Sequence, residues 1–384
     1  MKQIMQELEK LAGLRPMDII QKKQNGSKVV EFFGDFVPEQ WITAAGAESF
    51  LICKGGDPQP VEATLDYMLR FMHPLAASMA GNYLAGLDAV MPFADLIAVQ
   101  QTEAHYGRMT ELLEYKKLPV TKIGVPSDYT IGISQDYYRS ELKEFRKRLE
   151  ELVGHPIDDE AIRANYAKTN KINELLRKID DLRKGENPPI TFTDFIKLNH
   201  YTLHLDYDTS IAALEKIYDK LKDAPSVYGK GAPRILIMGR AVAKGDYLLP
   251  SITEEVGGAI VCEMFDECIR PFHADISTEG DVVDAYVDAM YINKVPQCIF
   301  QPAWNTRFDN VKKLIEEYKI DGILWYQLAF DEIFDMEGAC IAKWCSELKV
   351  PFIKIESAYE YSREAVAPLT TRLESFVESL KEAK

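Results

Sequence analysis

The sequence predicts an α/β protein with two parallel-sheet domains and a helical insert between them. Two observations carry this. Short continuous apolar runs recur along the chain, as in Asp95-Leu96-Ile97-Ala98-Val99 and Arg234-Ile235-Leu236-Ile237-Met238-Gly239, and such runs mark strands buried on both faces of a parallel sheet. Helix-favouring stretches separate them, the alternation expected of βαβ units. At 384 residues the chain is long enough for about two domains.

Taken in order, residues 2–12 read as a short amphipathic helix and Val29–Phe33 as a strand. Pro38 opens a helix at a position where its missing N–H costs little, and Gly46 stops it. Ser49–Cys53, Asp95–Val99 and Val120–Pro126 are further strands, with a helix over Tyr106–Lys116. Residues 137–186 are charged and helical, broken by Gly154-His155-Pro156, and Asp194–Leu198 begins another helix. The second run of strands is Arg234–Gly239, Gly258–Val261, Gly322–Tyr326 and Pro351–Ile355, followed by a helix over 363–382. The expected division is 1–136 for the first α/β domain, 137–200 for the helical insert and 201–384 for the second α/β domain.

With 45 basic against 60 acidic residues the net charge is −15, which argues against a nucleic-acid binder that would need a basic footprint. No secretory signal and no run near the length of a membrane span are expected, so the chain is read as cytoplasmic. Its six cysteines, Cys53, Cys262, Cys268, Cys298, Cys340 and Cys345, then read as reduced core residues or metal ligands rather than disulfides. None forms a C-x-x-C pair, and Cys340 and Cys345 splay apart on a helix.

Ligands of open parallel sheets sit beyond the carboxyl ends of the strands. This singles out Gly34-Asp35-Phe36, Gln100 to His105, Gly239-Arg240, Glu263-Met264 and Gln327 to Asp331. Gly239 permits close backbone approach and Arg240 offers a bidentate fork, so the pair reads either as a cradle for a phosphate or carboxylate or as a tight turn with a surface arginine. Glu103 and His105 read as an acid–base pair, as weak metal ligands, or as solvated loop residues. No G-x-G-x-x-G or Walker A sequence is present.

Several segments have a further reading. Phe36-Val37-Pro38-Glu39 with Ala44-Ala45-Gly46 looks like a "PEE…AAG" element, and Leu369-Thr370-Thr371-Arg372-Leu373-Glu374-Ser375-Phe376-Val377-Glu378 like a "TRIEAF.E" tail. Ala94–Thr102, Met109–Tyr115, Lys122–Pro126, Ile237–Gly239, Glu255–Gly257 and Ile260-Val261 fall between them in matching order. Together these pieces resemble the 2-hydroxyacyl-CoA dehydratase family, which includes benzoyl-CoA reductase subunits and double-cubane cluster proteins; the chain is most similar to a beta-type subunit of the 2-hydroxyglutaryl-CoA kind. The resemblance implies two Rossmann-like domains, a dimer of related subunits, a coenzyme A thioester as substrate, and an ATP-dependent activator protein that supplies one electron. It implies loss of water from an (R)-2-hydroxyacyl-CoA through a ketyl radical, with a 4Fe-4S cluster held by three cysteines in typical subunits.

Here the three family cysteine positions are matched by Ala77, by Glu103 within Thr102-Glu103-Ala104, and by Phe330 within Ala329-Phe330-Asp331. A cluster wants thiolate ligands, so no metal is expected on this chain and the 4Fe-4S cluster is expected on the partner subunit. Gly239, Arg240, Gln101 and His105 are the expected substrate-side residues, lining the shared interface or the pocket wall. The alternatives are a cluster-free scaffold or assembly partner, a benzoyl-CoA-type reductase subunit, and a relocated cluster on Cys262, Cys268, Cys340 and Cys345.

Overall fold

The computed structural model describes residues 1–68, 70–301 and 303–383. A long helix α1 (Lys2–Gln24) precedes the first sheet. There follow β1 (Val29–Phe33), α2 (Glu39–Ala44), β2 (Glu48–Leu51), α3 (Pro58–Ala63), α4 (Pro74–Leu84), β3 (Leu96–Gln101), α5 (Ala104–Tyr115) and β4 (Val120–Gly124). Four helices come next: α6 (Gly132–Val153), α7 (Asp159–Lys184), α8 (Phe192–His204) and α9 (Tyr207–Leu221). The second unit runs β5 (Arg234–Gly239), α10 (Leu248–Glu255), β6 (Ala259–Phe265), α11 (Val282–Val287), α12 (Trp304–Tyr318), β7 (Gly322–Leu328), α13 (Glu332–Leu348), β8 (Phe352–Ser357) and α14 (Arg363–Glu382).

The strands form two four-stranded sheets in the orders β2-β1-β3-β4 and β6-β5-β7-β8, and every pairing is parallel. The fold is therefore α/β with two Rossmann-like units, as the alternating pattern predicts. In each sheet the chain reverses its direction of progress beside the central strands, which is where ligand crevices open in such sheets. The units are joined through backbone at an isolated parallel bridge between Lys54 and Lys244. One contiguous apolar core spans both, while a second cluster under β6 and β7 holds Cys262, Cys298 and Cys345.

Two elements differ from the sequence reading. Helix α1 continues to Gln24 through Gly13 and Pro16, because its buried stripe Met5, Leu8, Ala12 and Ile19 keeps a helical spacing past the glycine. Strand β6 runs to Phe265, four residues beyond the expected Val261, its register shifting opposite Ile235 and Leu236. Glu263 is thus inside a strand, ion-paired to Arg183 at 2.6 Å, rather than in a loop beyond it. The boundary placed at residue 200 falls inside α8. The break at Gly154 is the left-handed cap that ends α6.

Glu31 sits in the middle of β1 and is fully buried. Neither of its carboxyl oxygens accepts a hydrogen bond from an N–H or hydroxyl donor, and the neighbouring polar group is the Asp88 carboxyl. Burial, and then the charge of Asp88, push its pKa well above the usual range, with Lys54 opposing. A raised carboxyl gives stability that is complete below the unfolded pKa and is lost as pH rises through the folded one. Glu31→Gln, a neutral isostere, should therefore leave stability near pH 4 about unchanged and raise it at about pH 8 by about 1–3 kcal/mol, read by urea unfolding at both pH values.

Candidate functional site

The carboxyl ends of both sheets meet around Arg240, the residue that follows β5. Gly239 allows that turn: its φ is +153°, and a Cβ there would lie 2.1 Å from the carbonyl oxygen of Tyr326 on the neighbouring strand. Arg240 is fully buried. Its Nη2 donates to Glu103 Oε2 (3.0 Å), just past β3, and its Nη1 to Glu267 Oε2 (3.2 Å), just past β6. Its Nε and Nη2 clasp Asp331, just past β7, at 2.5 and 2.9 Å. The guanidinium carbon lies 4.6 Å from the centroid of the Phe334 ring. A planar fork suits this arrangement, since it can serve several carboxylates from one plane.

A further layer holds those carboxylates. Tyr106 OH donates to Glu267, and Gln100 Nε2 donates to the other Glu267 oxygen at 3.2 Å. His73 Nε2 donates to Glu103 Oε1 at 2.6 Å. His73 is also the N-cap of α4, its Nδ1 accepting from Ala76 N at 3.2 Å, and its own backbone N–H points to His105 Nδ1 at 3.4 Å. Burial raises the pKa of Glu103, but Arg240, His73 and His105 outweigh it and hold the carboxyl well below its usual range. Glu267 goes the other way: burial pushes it up to about 7, against the pull of Arg240 and with the push of Glu103. Burial, then His73, lower His105. The site thus holds one carboxylate that stays ionised and one that titrates near neutrality.

His73, Glu103 and His105 bring ligand-type atoms within 4.8 Å of one another, a donor set that suits a divalent metal by residue type. The hydrogen bonds have the wrong polarity for it. Metal-bound imidazoles donate from their second ring nitrogen, whereas both rings here accept backbone N–H groups through Nδ1, and a guanidinium already occupies the far side of Glu103. A 4Fe-4S cluster fits no better: Ala77 is buried within α4, the Glu103 carboxylate is bonded to Arg240 and His73, and Phe330 presents a half-exposed ring edge-on to Phe71. Cys268 lies in the main core, apart from the cluster of apolar residues that contains Cys262 and Cys345.

Of the expected substrate-side residues, Gly239 and Arg240 form the floor of this network and His105 its half-buried edge. Gln101 is partly exposed, with only long contacts from Nε2 to the backbone of Val99 and Gln100. None of the four lines the cleft of about 840 Å³ that lies beyond β6 between Glu263, Arg270, His273, Lys294 and Lys313. Sequence reasoning missed His73, Tyr106 and Glu267. A corrected end for β6 would have exposed Glu267 as a residue beyond a strand.

The model of the family described as 2-hydroxyglutaryl-CoA dehydratase, D-component, matches residues 36–380. A provisionally assigned dehydratase subunit of Escherichia coli K12, YjiM, is 25% identical over 374 residues, 95% of this chain and 94% of that protein. A benzoyl-CoA reductase subunit of Thauera aromatica is 25% identical, over 92% of this chain and 91% of its own. The (R)-2-hydroxyglutaryl-CoA dehydratase beta subunit of Acidaminococcus fermentans is 21% identical, over 98% and 99%.

Removing the shared cation leaves three buried acidic groups facing one another. Arg240→Ala should lower the unfolding free energy by about 3–5 kcal/mol, and Arg240→Lys should recover only part of it, measured by urea denaturation. Because the Glu267 pKa is raised, its stabilising share is complete below its unfolded pKa of about 4.3 and lost as pH rises through about 7. Glu267→Gln should flatten that part of the stability–pH curve, read by thermal unfolding at a series of pH values.

Proposed function

Because the chain belongs to the 2-hydroxyglutaryl-CoA dehydratase D-component family, we propose that it is the cluster-free subunit of a 2-hydroxyacyl-CoA dehydratase. The complex eliminates water from an (R)-2-hydroxyacyl-CoA by a ketyl-radical route. The 4Fe-4S cluster sits on a related partner subunit, reduced by an ATP-dependent activator in the cytoplasm. One observation carries the reading: where the family's cluster ligands would stand, this chain has Ala77, Glu103 and Phe330, with Glu103 committed to a buried ion-pair network.

In this role the chain contributes a wall and an electrostatic setting. Arg240 acts as a positioning residue, bonded wholly within the protein, that fixes Glu103 and Asp331 at the rim. His105 and Gln101 are partly exposed, and in this reading they are the side chains turned to the pocket shared with the partner. His105, whose pKa burial and His73 lower, has its Nδ1 occupied by the His73 backbone N–H, so its Nε2–H can donate a hydrogen bond to a substrate without adding charge. Aromatic side chains continue the rim: Phe71 and Phe330 touch each other and both are solvent-accessible in the isolated chain. Large exposed apolar groups of this kind favour a partner surface. A benzoyl-CoA-type reductase is the weaker reading, because electron transfer through each subunit needs the ligands this chain lacks.

The test is iron and acid-labile sulfide per chain, on protein purified without oxygen, alone and with its partner. The expected result is an iron-free lone chain and about one 4Fe-4S cluster per pair. A lone chain carrying about four irons would overturn the reading. In the complex, His105→Ala and Gln101→Ala should lower kcat/KM by about tenfold or more without unfolding the chain, measured by coupled dehydration assay.

A further inference from the structure

Away from Arg240, the two units are joined through backbone where the loop after β2 crosses the loop after β5. Lys244 N donates to Cys53 O at 2.9 Å and Gly55 N to Lys244 O at 3.1 Å, which pairs Lys54 with Lys244 in a parallel bridge. The crossing is close. A Cβ on Gly56 would lie 2.7 Å from Asp246 Cα, and one on Gly245 2.7 Å from Gly55 O. Residues paired across a parallel bridge project to the same face, from backbones about 4.8 Å apart. Two lysine side chains are therefore set side by side, one from each unit, and no part of the proposed activity uses them.

Their surroundings differ. Lys54 Nζ donates to the carbonyl oxygen of Leu87 at 3.2 Å, a bond that keeps its proton in place. Lys244 has no such acceptor: among the described residues its Nζ forms neither a hydrogen bond nor an ion pair. Asp246, two residues on, is committed elsewhere, accepting from Tyr326 OH at 2.5 Å and Tyr361 OH at 2.6 Å. An ammonium carries three donors, and that of Lys244 is half-buried beside a like charge with none of them met by the protein. An amine desolvated next to another cation gives up its proton and becomes nucleophilic. Burial, joined by Lys54 and opposed by Cys53, holds the Lys244 pKa below the ordinary lysine range. His200 of α8 adds no charge there, since burial takes its own pKa down to about 4. The amine stays within reach of solvent, because Lys244 is only half-buried and Gly245 beside it is exposed.

We propose that Lys244 is a self-acylating lysine, a modification site that takes the acyl group of a coenzyme A thioester. The neutral Nζ adds to the thioester carbonyl carbon. The N–C bond forms, the C–S bond breaks, and the proton released by the nitrogen ends on the departing thiolate. One amine and one thioester give one amide and one thiol, with nothing oxidised or reduced. The Lys54 ammonium, on the same face, favours the oxyanion that develops as the nitrogen adds. The amide is uncharged, so acylation removes one of the two like charges at the crossing between the units. The choice of a thioester as donor rests on the dehydratase reading; the reactivity of the amine rests on the crossing alone.

The test incubates the full-length chain with acetyl-CoA at a series of pH values, blocks the remaining amines in denaturant with isotopically heavy acetic anhydride, and reads the light-to-heavy ratio at each lysine by mass spectrometry. Lys178 and Lys222 are internal references, each bonded to a carboxylate, Glu174 and Asp219, that raises its pKa. Near neutral pH, Lys244 should be acetylated about tenfold or more faster than either, with its midpoint at a lower pH. Lys54→Gln should move that midpoint up and slow the reaction near neutral pH about threefold. The comparison among wild-type lysines needs no variant to fold. If Lys244 reacts no faster than Lys178 and Lys222, or if Lys54→Gln leaves its midpoint in place, the proposal is overturned. The measurement needs no partner subunit and no iron, so its failure is separate from a failure of the dehydratase reading, which the iron content decides.

Discussion

A guanidinium sealed from water must be neutralised where it lies, and Arg240 is neutralised by residues from three other loops. Glu103 comes from the first sheet; Glu267 and Asp331 come from two strands of the second. Because one cation binds all three, a single side chain adds a polar tie between the two sheets to the backbone bridge and the shared core. The device recurs beyond this seam. Arg183 and Arg307 are also buried, each held by two carboxylates, Arg183 by Asp180 and Glu263, Arg307 by Asp266 and Glu337. Buried pairs of this kind need not add net stability over an apolar core, but losing one member is expensive. They favour one arrangement of the loops over others.

The seam is also chemically asymmetric. On one side of it lie the ionised Glu103 and the neutral imidazole of His105; on the other lies Glu267, whose proton is lost near neutrality.

Much of this site was legible because parallel strands deliver their carboxyl ends to one edge. Arg240, Glu103, His105 and Asp331 all follow apolar runs, and the rule that ligands gather there found them without structural knowledge. What it could not find follows from two physical facts. The end of β6 is hidden in the sequence, because Cys262, Glu263 and Met264 break the apolar run while backbone pairing continues across a register shift; this displaced attention from Glu267 to Glu263. His73 serves as a helix cap, a position where serine, threonine or aspartate is the usual signal, so its second function toward Glu103 left no pattern to read. That Arg240 is enclosed rather than offered to solvent is a tertiary fact: it depends on three acids up to 137 residues away meeting at one point.

The turn at Gly34 carries a consequence of another kind. A Cβ on residue 34 would fall 1.9 Å from Oε1 of Gln100, the side chain whose amide holds Glu267. Positions 34 and 100 therefore cannot drift separately. A larger residue at 34 is strained by the backbone, whose φ is +100°, and it would also drive the Gln100 side chain from Glu267. A glycine at 34 is thus what leaves the Gln100 amide free to hold a carboxyl from the other sheet.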